Sequence, residues 1–577
     1  MRFHPAVLLL GGLIFLFSLP ALAVQQSAGQ SAIASAHPIA TSAGFEIIAQ
    51  GGNAFDAAVA VSAALAVVEP MGSGLGGGGF WLLHRASDGF QIMLDGREKA
   101  PAAATRTMYL DQQGQVIDGL SLNGALAAAI PGLPAALVHL AANYGNLPLR
   151  QSLQPAIRAA EEGFTVYPRY RRLLKFRQPH LNPASEEIFL TKSNEVPAIG
   201  TVIKQLDLAA TLRRLAIGQR DGFYKGETAE KLLHSVSQAG GIWSQADLDA
   251  YQVVERKPVI GSYRGARIVS AALPSSGGIV LVEILNLLAD FDLDQLSPVE
   301  QKQKVIEAMR LAYRDRAKYL GDSDFVQVDQ ARLTSMAHAD RLRANIGNRA
   351  TPSDFLSDLP VQEGQDTSHF SIIDHAGNRV SATLSINYPF GSGMVAAGTG
   401  VILNDEMDDF SASPGVENGY GLVGSSANAI EAGKRPLSSM TPTFVEKNDA
   451  VLVVGTPGGS RIISMVLIAV LDFLHDRGEI TDWLARGRFH HQYYPDVVQY
   501  EADALSDLEQ SELSAMGYVL KAHKSNYGNM QAVLLNILDG SLQAASDPRW
   551  LGRAEVRSDQ ANQPVEHLEM KKTGTTD

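Results

Sequence analysis

Cysteine is absent from all 577 residues, which excludes disulfides, thiolate metal sites and a cysteine nucleophile together. Long apolar runs are also absent after the first 23 residues. Those begin with the basic Arg2, continue through an apolar stretch from Ala6 to Leu19 and end in the small-residue pattern Ala21-Leu22-Ala23. The stretch holds about fourteen residues, short of the roughly twenty a spanning helix needs, so residues 1–23 read as a secretory signal removed after Ala23. The mature chain is expected to be exported, periplasmic or secreted, with no membrane span. The net charge of −13 over all 577 residues comes with no basic stripe and no basic patch interleaved with aromatics, so nucleic acid is not an expected partner. There is no Gly-x-Ser-x-Gly elbow and no phosphate-binding loop. Gly72-Ser73-Gly74-Leu75-Gly76-Gly77 spells a dinucleotide fingerprint, but it follows a helix and precedes a strand, the reverse of the order that fingerprint needs. It reads as a packing loop near an active site. His369, His490 and His491 have no further ligand at metal-binding spacing, and no metal or other cofactor is expected.

What is present is an interleaving of helix and strand patterns over a length that must bury one large layered core or several packed units. Pro38 to Gln50 reads as a helix ending at Gly51-Gly52, and Asn53 caps a second that runs to about Val68. In the second, Ala57, Ala58, Val61, Ala64, Leu65 and Val68 share a face of small side chains suited to close packing on a sheet. Phe80–Leu83 and Gln91–Leu94 read as strands around a polar turn. Gln151–Glu162 and Ala229–Ala239 read as helices, Ala266–Ser270 as a strand and Ile279–Leu288 as an apolar helix.

Between about Gly347 and Gln365 the periodicity gives way to an exposed-loop composition, and a hairpin then begins abruptly. Thr367 to Asp374 and Arg379 to Asn387 are its strands, with Val380, Ala382, Leu384 and Ile386 on one face of the return strand and Ser381, Thr383, Ser385 and Asn387 on the other. Antiparallel pairing brings Thr367 beside Ser385 and Asn387, within about 5 Å for directly paired positions. Further on, a strand at Val451–Val454, a tight turn at Thr456-Pro457-Gly458-Gly459-Ser460 and a helix from Ile462 present free backbone amides at a helix start, an arrangement suited to an oxyanion.

The order of these blocks, with Gly51-Gly52-Asn53-Ala54-Phe55-Asp56-Ala57-Ala58, Asp95-Gly96-Arg97-Glu98, Asp366-Thr367-Ser368-His369, Met407-Asp408-Asp409-Phe410-Ser411, Pro436-Leu437-Ser438-Ser439-Met440 and Pro457-Gly458-Gly459-Ser460-Arg461, resembles the γ-glutamyltranspeptidase family of N-terminal-nucleophile hydrolases over nearly the whole mature chain. The resemblance implies an α/β fold, a four-layer αββα sandwich shared by two subunits. It implies a precursor that cuts its own Asp366–Thr367 bond, leaving a large subunit of residues 24–366 and a small catalytic subunit of residues 367–577 that stay together as a heterodimer. Thr367 is then the nucleophile, its new α-amine the general base, Ser385 its assistant and Gly458 and Gly459 the oxyanion donors. The family more often has threonine where Ser385 stands.

For the substrate, the resemblance implies Arg97, Ser438 and Ser439 at a γ-glutamyl α-carboxylate, and Asn387, Glu406 and Asp409 at its α-ammonium. Residues 410–420 are implied to form a lid with Tyr420 as gate. Donors such as glutathione are expected, with water, an amino acid or a peptide as acceptor. Two other readings stand beside this one: an acylase or amidase using another acyl group on the same fold, and a non-enzymatic protein binding amino acids or peptides on the same scaffold.

Overall fold

The computed structural model describes residues 29–351, 353, 367–412, 418–419 and 421–558. The proposed signal at residues 1–23, Asp366 and Tyr420 lie outside the described residues. Two antiparallel sheets lie face to face. The first contains β1 (Gln30–Ser35), β2 (Gly78–Arg85), β3 (Phe90–Asp95), β4 (Val254–Arg256), β7 (Ser368–Ile373), β8 (Arg379–Ser385) and β13 (Arg553–Ser558) in the order β13-β1-β7-β8-β2-β3-β4. The second contains β5 (Val259–Tyr263), β6 (Ala266–Ser270), β9 (Thr443–Glu446), β10 (Ala450–Gly455), β11 (Gln531–Asn536) and β12 (Leu542–Ser546) in the order β12-β11-β10-β9-β6-β5.

Helices α1 (Pro38–Ala49) and α2 (Ala54–Val68) cover the outer face of the first sheet, and α3 (Gly277–Leu288), α4 (Pro298–Tyr319) and α5 (Ile462–Leu474) cover the second. This is the αββα sandwich that the resemblance implies.

The α2 helix shows how sequence becomes layer. Asn53 Oδ1 accepts from the amides of Phe55 and Asp56 while the Asp56 carboxylate accepts from the Asn53 amide, a reciprocal cap that fixes the helix start. All fifteen of its residues are buried, and its many alanines let the backbone lie close to the sheet, where Trp81 Nε1 reaches Ser62 Oγ at 3.1 Å. The single helix read over Gln151–Glu162 is instead two, Leu149–Ser152 and Gln154–Glu162. Pro155 has no N–H to continue the first, so it opens the second.

Between the sheets the expected face alternation holds, with both faces buried. Val380, Ala382, Leu384 and Ile386 join the core under α2, while the hydroxyl side turns to the second sheet. Ser381 Oγ donates to the Val454 carbonyl at 3.1 Å and accepts from the Thr443 amide at 3.1 Å, and Ser371 Oγ donates to the Gln531 carbonyl. A polar group so deep is stable only when bonded, and these hydroxyls are. Among the described residues, no helix is long and apolar enough to cross a membrane.

Candidate active site

Thr367 stands one residue before β7. In the hairpin, Ser368 pairs with Leu384, which sets Thr367 opposite Ser385, and their hydroxyl oxygens lie 3.3 Å apart. Ser385 Oγ also accepts from the Asn387 amide at 2.9 Å. Asn387 has a left-handed backbone, φ 72°, a conformation asparagine tolerates better than most residues, and its Nδ2 donates to the Asp405 carbonyl at 3.0 Å. The glycine run packs behind this pair. A Cβ on Gly77 would fall 2.1 Å from the Ser385 carbonyl oxygen, and one on Gly72 would fall 3.1 Å from that of Thr367. The run is the packing loop expected from its order in the chain.

The turn after β10 holds the two glycines expected as oxyanion donors. Gly458 has φ 142° and Gly459 φ 56°, values that favour glycine, and a short 3₁₀ turn, Gly459–Arg461, leads into α5. Among the described residues, neither the Gly458 nor the Gly459 amide donates to another backbone carbonyl. Amides at a helix start suit the negative oxygen of a tetrahedral intermediate, and Gly459 lines the same cleft as Thr367.

Across the cleft lies an unusually charged buried group. Arg97, 1 % exposed, pairs through Nη1 with Glu406 at 2.6 Å and through Nη2 with Asp409 at 2.5 Å, and Glu98 lies 3.6 Å away. Its own backbone is tied down: the Arg97 amide donates to Asp95 at 2.9 Å and its carbonyl accepts from Tyr251 at 2.7 Å. The Arg97–acid group is therefore no surface ion pair. Burial works to depress the guanidinium, but the charges of Glu406, Asp409 and Glu98 more than reverse it. Burial lifts Glu98 to about 8 despite Arg97 beside it, and holds Glu406 well above the ordinary carboxylate range. Beyond this ion pairing with Arg97, neither the Glu98 nor the Glu406 carboxylate has a well-directed hydrogen bond among the described residues. Asp408, raised to about 6 by burial, is held by Ser121 Oγ at 2.6 Å and the Gly419 amide at 2.7 Å.

One cleft, enclosing about 300 Å³ of atom-free space that is partly open, is lined by Arg97, Thr367, Ser385, Asn387, Asp409, Ser438, Ser439 and Gly459. It thus unites residues drawn from six separate segments of the chain. Glu406 stands behind Arg97, and Gly458 stands in the turn behind Gly459. Ser438 Oγ accepts from the Met440 amide at 3.1 Å, whereas Ser439 Oγ accepts from Arg316 Nη2 at 3.1 Å.

Arg316 itself is a residue that sequence reasoning missed. It is a buried cation on α4, with its Nε donating to Ser276 Oγ at 2.9 Å. Only the break of helical amphipathicity at a buried arginine signals it. His369 and His490 are hydrogen-bonded to Thr383 and Ser464 as packing histidines. Glu283, Asp315 and His338, on three different helices, form a buried trio that spacing along the chain does not reveal. Within the trio, His338 Nε2 lies 2.7 Å from Asp315 while its Nδ1 faces Arg332 and Arg341.

The family model described as gamma-glutamyltranspeptidase matches residues 40–556. A glutathione hydrolase proenzyme of Pseudomonas sp. (strain A14) is 44% identical over 495 residues, covering 84% of this chain and 85% of the relative. One of Escherichia coli (strain K12) is 42% identical over 530 residues, covering 90% of this chain and 91% of the relative. Among solved structures, a cephalosporin acylase from Bacillus halodurans superposes with a TM-score of 0.81 at 28% identity, covering 92% of this chain and 96% of that one.

Proposed function

The chain belongs to the gamma-glutamyltranspeptidase family, and from that premise we propose how its site carries out γ-glutamyl transfer and glutathione hydrolysis. It is made as a proenzyme. The Thr367 hydroxyl attacks the Asp366 carbonyl carbon, the acyl group passes from nitrogen to oxygen, and water opens the resulting ester. The products are a C-terminal Asp366 carboxylate and a Thr367 with a free α-amine. An α-amine titrates near 7.7–8.0 in the absence of perturbation, so at and slightly above neutral pH it can take the proton of its own hydroxyl.

In turnover, Thr367 Oγ adds to the γ-carbonyl of the donor, and the Gly458 and Gly459 amides receive the oxyanion. The leaving amine departs with a proton, and a γ-glutamyl ester remains on Thr367. Water releases glutamate, or an acceptor amine forms a new γ-glutamyl amide; either nucleophile restores the threonine hydroxyl. Ser385, 3.3 Å from that hydroxyl, is placed to stabilise it without replacing the amine as base.

Recognition follows from charge. Burial favours the protonated forms of Glu98 and Glu406, which leaves Arg97 and Asp409 on the cleft wall, so the site favours a ligand that brings a carboxylate to Arg97 and a cation to Asp409. A γ-glutamyl head does so at the right place: its carboxylate can share Arg97 while its ammonium meets the Asp409 carboxylate.

The observation that carries this reading is the joint lining of one cleft by Thr367, Ser385 and Gly459 on the reacting side and Arg97, Asp409 and Ser438 on the recognition side. Thr367→Ala is expected to give one uncut chain on denaturing gels and no release from a γ-glutamyl anilide, where the parent protein gives two fragments and turnover. An uncut, inactive parent would favour the binding-protein reading. Because a cephalosporin acylase shares the fold, a glutaryl anilide belongs in the same assay. Its preferential release would favour the acylase.

A further inference from the structure

The two halves of the head-group pocket come from segments well apart in the chain, Asp409 on one and Ser438 on the other. One side chain outside the cleft joins them. Asn428, 6 % exposed, donates from Nδ2 to the Asp409 carbonyl at 2.7 Å and accepts at Oδ1 from the Leu437 amide at 3.0 Å. Leu437 immediately precedes Ser438, and the carbonyl of Pro436 before it accepts from Arg97 Nε at 3.3 Å. Asn428 is also anchored through its backbone: its carbonyl accepts from the Ser411 amide at 2.9 Å and its amide donates to the Ser425 carbonyl at 3.1 Å.

The amide is the chemistry this position requires. The Asp409 carbonyl can only accept and the Leu437 amide can only donate, so the orientation of Asn428 is set by its partners rather than by choice. Of the side chains of this size, only asparagine offers a donor and an acceptor on one planar group. Aspartate would set an oxygen against the Asp409 carbonyl, and alanine would leave two buried backbone groups with no partner. Asn418, which donates to Asp409 Oδ1 at 3.2 Å, holds the same residue by its side chain. Asn428 differs in tying Asp409 to the opposite wall.

We propose that Asn428 is a positioning residue that sets the separation between the ammonium-binding and carboxylate-binding walls, and so the preference for a donor carrying both charges. The inference rests on the γ-glutamyl reading above. If the walls drift apart, a γ-glutamyl donor can no longer meet Asp409 and the Arg97–Ser438 side together, while a ligand using only the carboxylate side loses little. Thr367, Ser385 and the glycine turn are not touched by Asn428, so the chemical step itself is spared.

The test uses the full chain with Asn428→Asp and Asn428→Ala, checked for two fragments on denaturing gels. KM and kcat are measured with a γ-glutamyl anilide, and inhibition constants with L-glutamate and with glutarate, which lacks the ammonium. The expected result is a rise of about tenfold or more in KM and in the L-glutamate constant, kcat within about threefold of the parent and the glutarate constant within about twofold. Unchanged KM in an active, cut variant overturns the inference and leaves the γ-glutamyl reading intact. An equal weakening of L-glutamate and glutarate overturns it as well, since discrimination would then lie elsewhere. If neither variant yields folded, cut protein, Asn428→Ser, whose hydroxyl can donate and accept but is too short to span both partners, is assayed the same way. Failure of all three to fold assigns Asn428 to the core and also overturns the inference. A parent enzyme that does not turn over the γ-glutamyl anilide removes the premise itself.

Discussion

Arg97 is one cation among two buried acids and a partly buried third, and the proton held by Glu98 is the consequence most open to measurement. Glu98 is raised to about 8 from an ordinary 4.5, so between those values the folded chain binds a proton that the unfolded chain does not. Its contribution to stability is complete below the unfolded value and is lost as pH rises through the folded one. Scanning calorimetry from pH 6 to 9 should show the parent losing stability through this group, with Glu98→Gln losing clearly less. Parallel curves would rule out Glu98 as the proton store. Single residues were unequally legible in the sequence. Thr367 and Arg97 are legible from their places in an ordered set of blocks that resembles a family; a threonine between a loop and a strand is on its own uninformative. Arg316 and Asn428 are not legible, because their partners are remote in sequence and their importance lies in which backbone or hydroxyl they reach.

At the scale of elements, strand alternation located the hairpin to within two residues and paired Thr367 with Ser385. It did not show that the hydroxyl face turns inward, because a two-sided sheet buried in four layers has no solvent face to mark. That inward face sets how closely the sheets approach. His369, wholly buried and held near a pKa of 3 by burial, packs flat on Gly455: a Cβ there would stand 2.2 Å from its ring carbon. Gly455→Ala is therefore expected to destabilise by about 1–3 kcal/mol through overpacking, read as a lower melting temperature in the uncut Thr367→Ala background. The loss should shrink when His369 is also replaced by alanine, since the two residues are in contact and their effects should couple. Additive losses would place the strain elsewhere. Because Gly455 ends β10 just before the turn proposed to hold the oxyanion, the same substitution in the active enzyme should also lower kcat.

The whole molecule is built from both sides of the proposed cut. In the first sheet β1, β2, β3 and β4 precede residue 367, whereas β7, β8 and β13 follow it; in the second, β5 and β6 precede it and β9 to β12 follow. β1 lies between β13 and β7, paired to both. Separating the fragments means tearing two sheets apart, not parting two surfaces. The fragments should therefore elute together from size-exclusion columns at any dilution and appear apart only under denaturing conditions. Dissociation in native buffer would contradict the shared sandwich. The layered class came from the family resemblance, with which the interleaved patterns are compatible; which strands of each sheet come from which side of the cut was not legible, because strand order is a property of pairing rather than of composition.

This interleaving also gives the molecule a direction in time. While the chain is whole, β1 finds β7 as part of the same polymer, at a loop-closure cost that grows only slowly with length. Once the proposed cut before Thr367 is made, the same pairing is a meeting of two separate chains, slowed by dilution and exposed to aggregation. Without cysteines, no disulfide keeps the halves together through unfolding. The working enzyme is thus assembled once, from a precursor it destroys. Its lifetime depends on the height of its unfolding barrier rather than on its ability to refold.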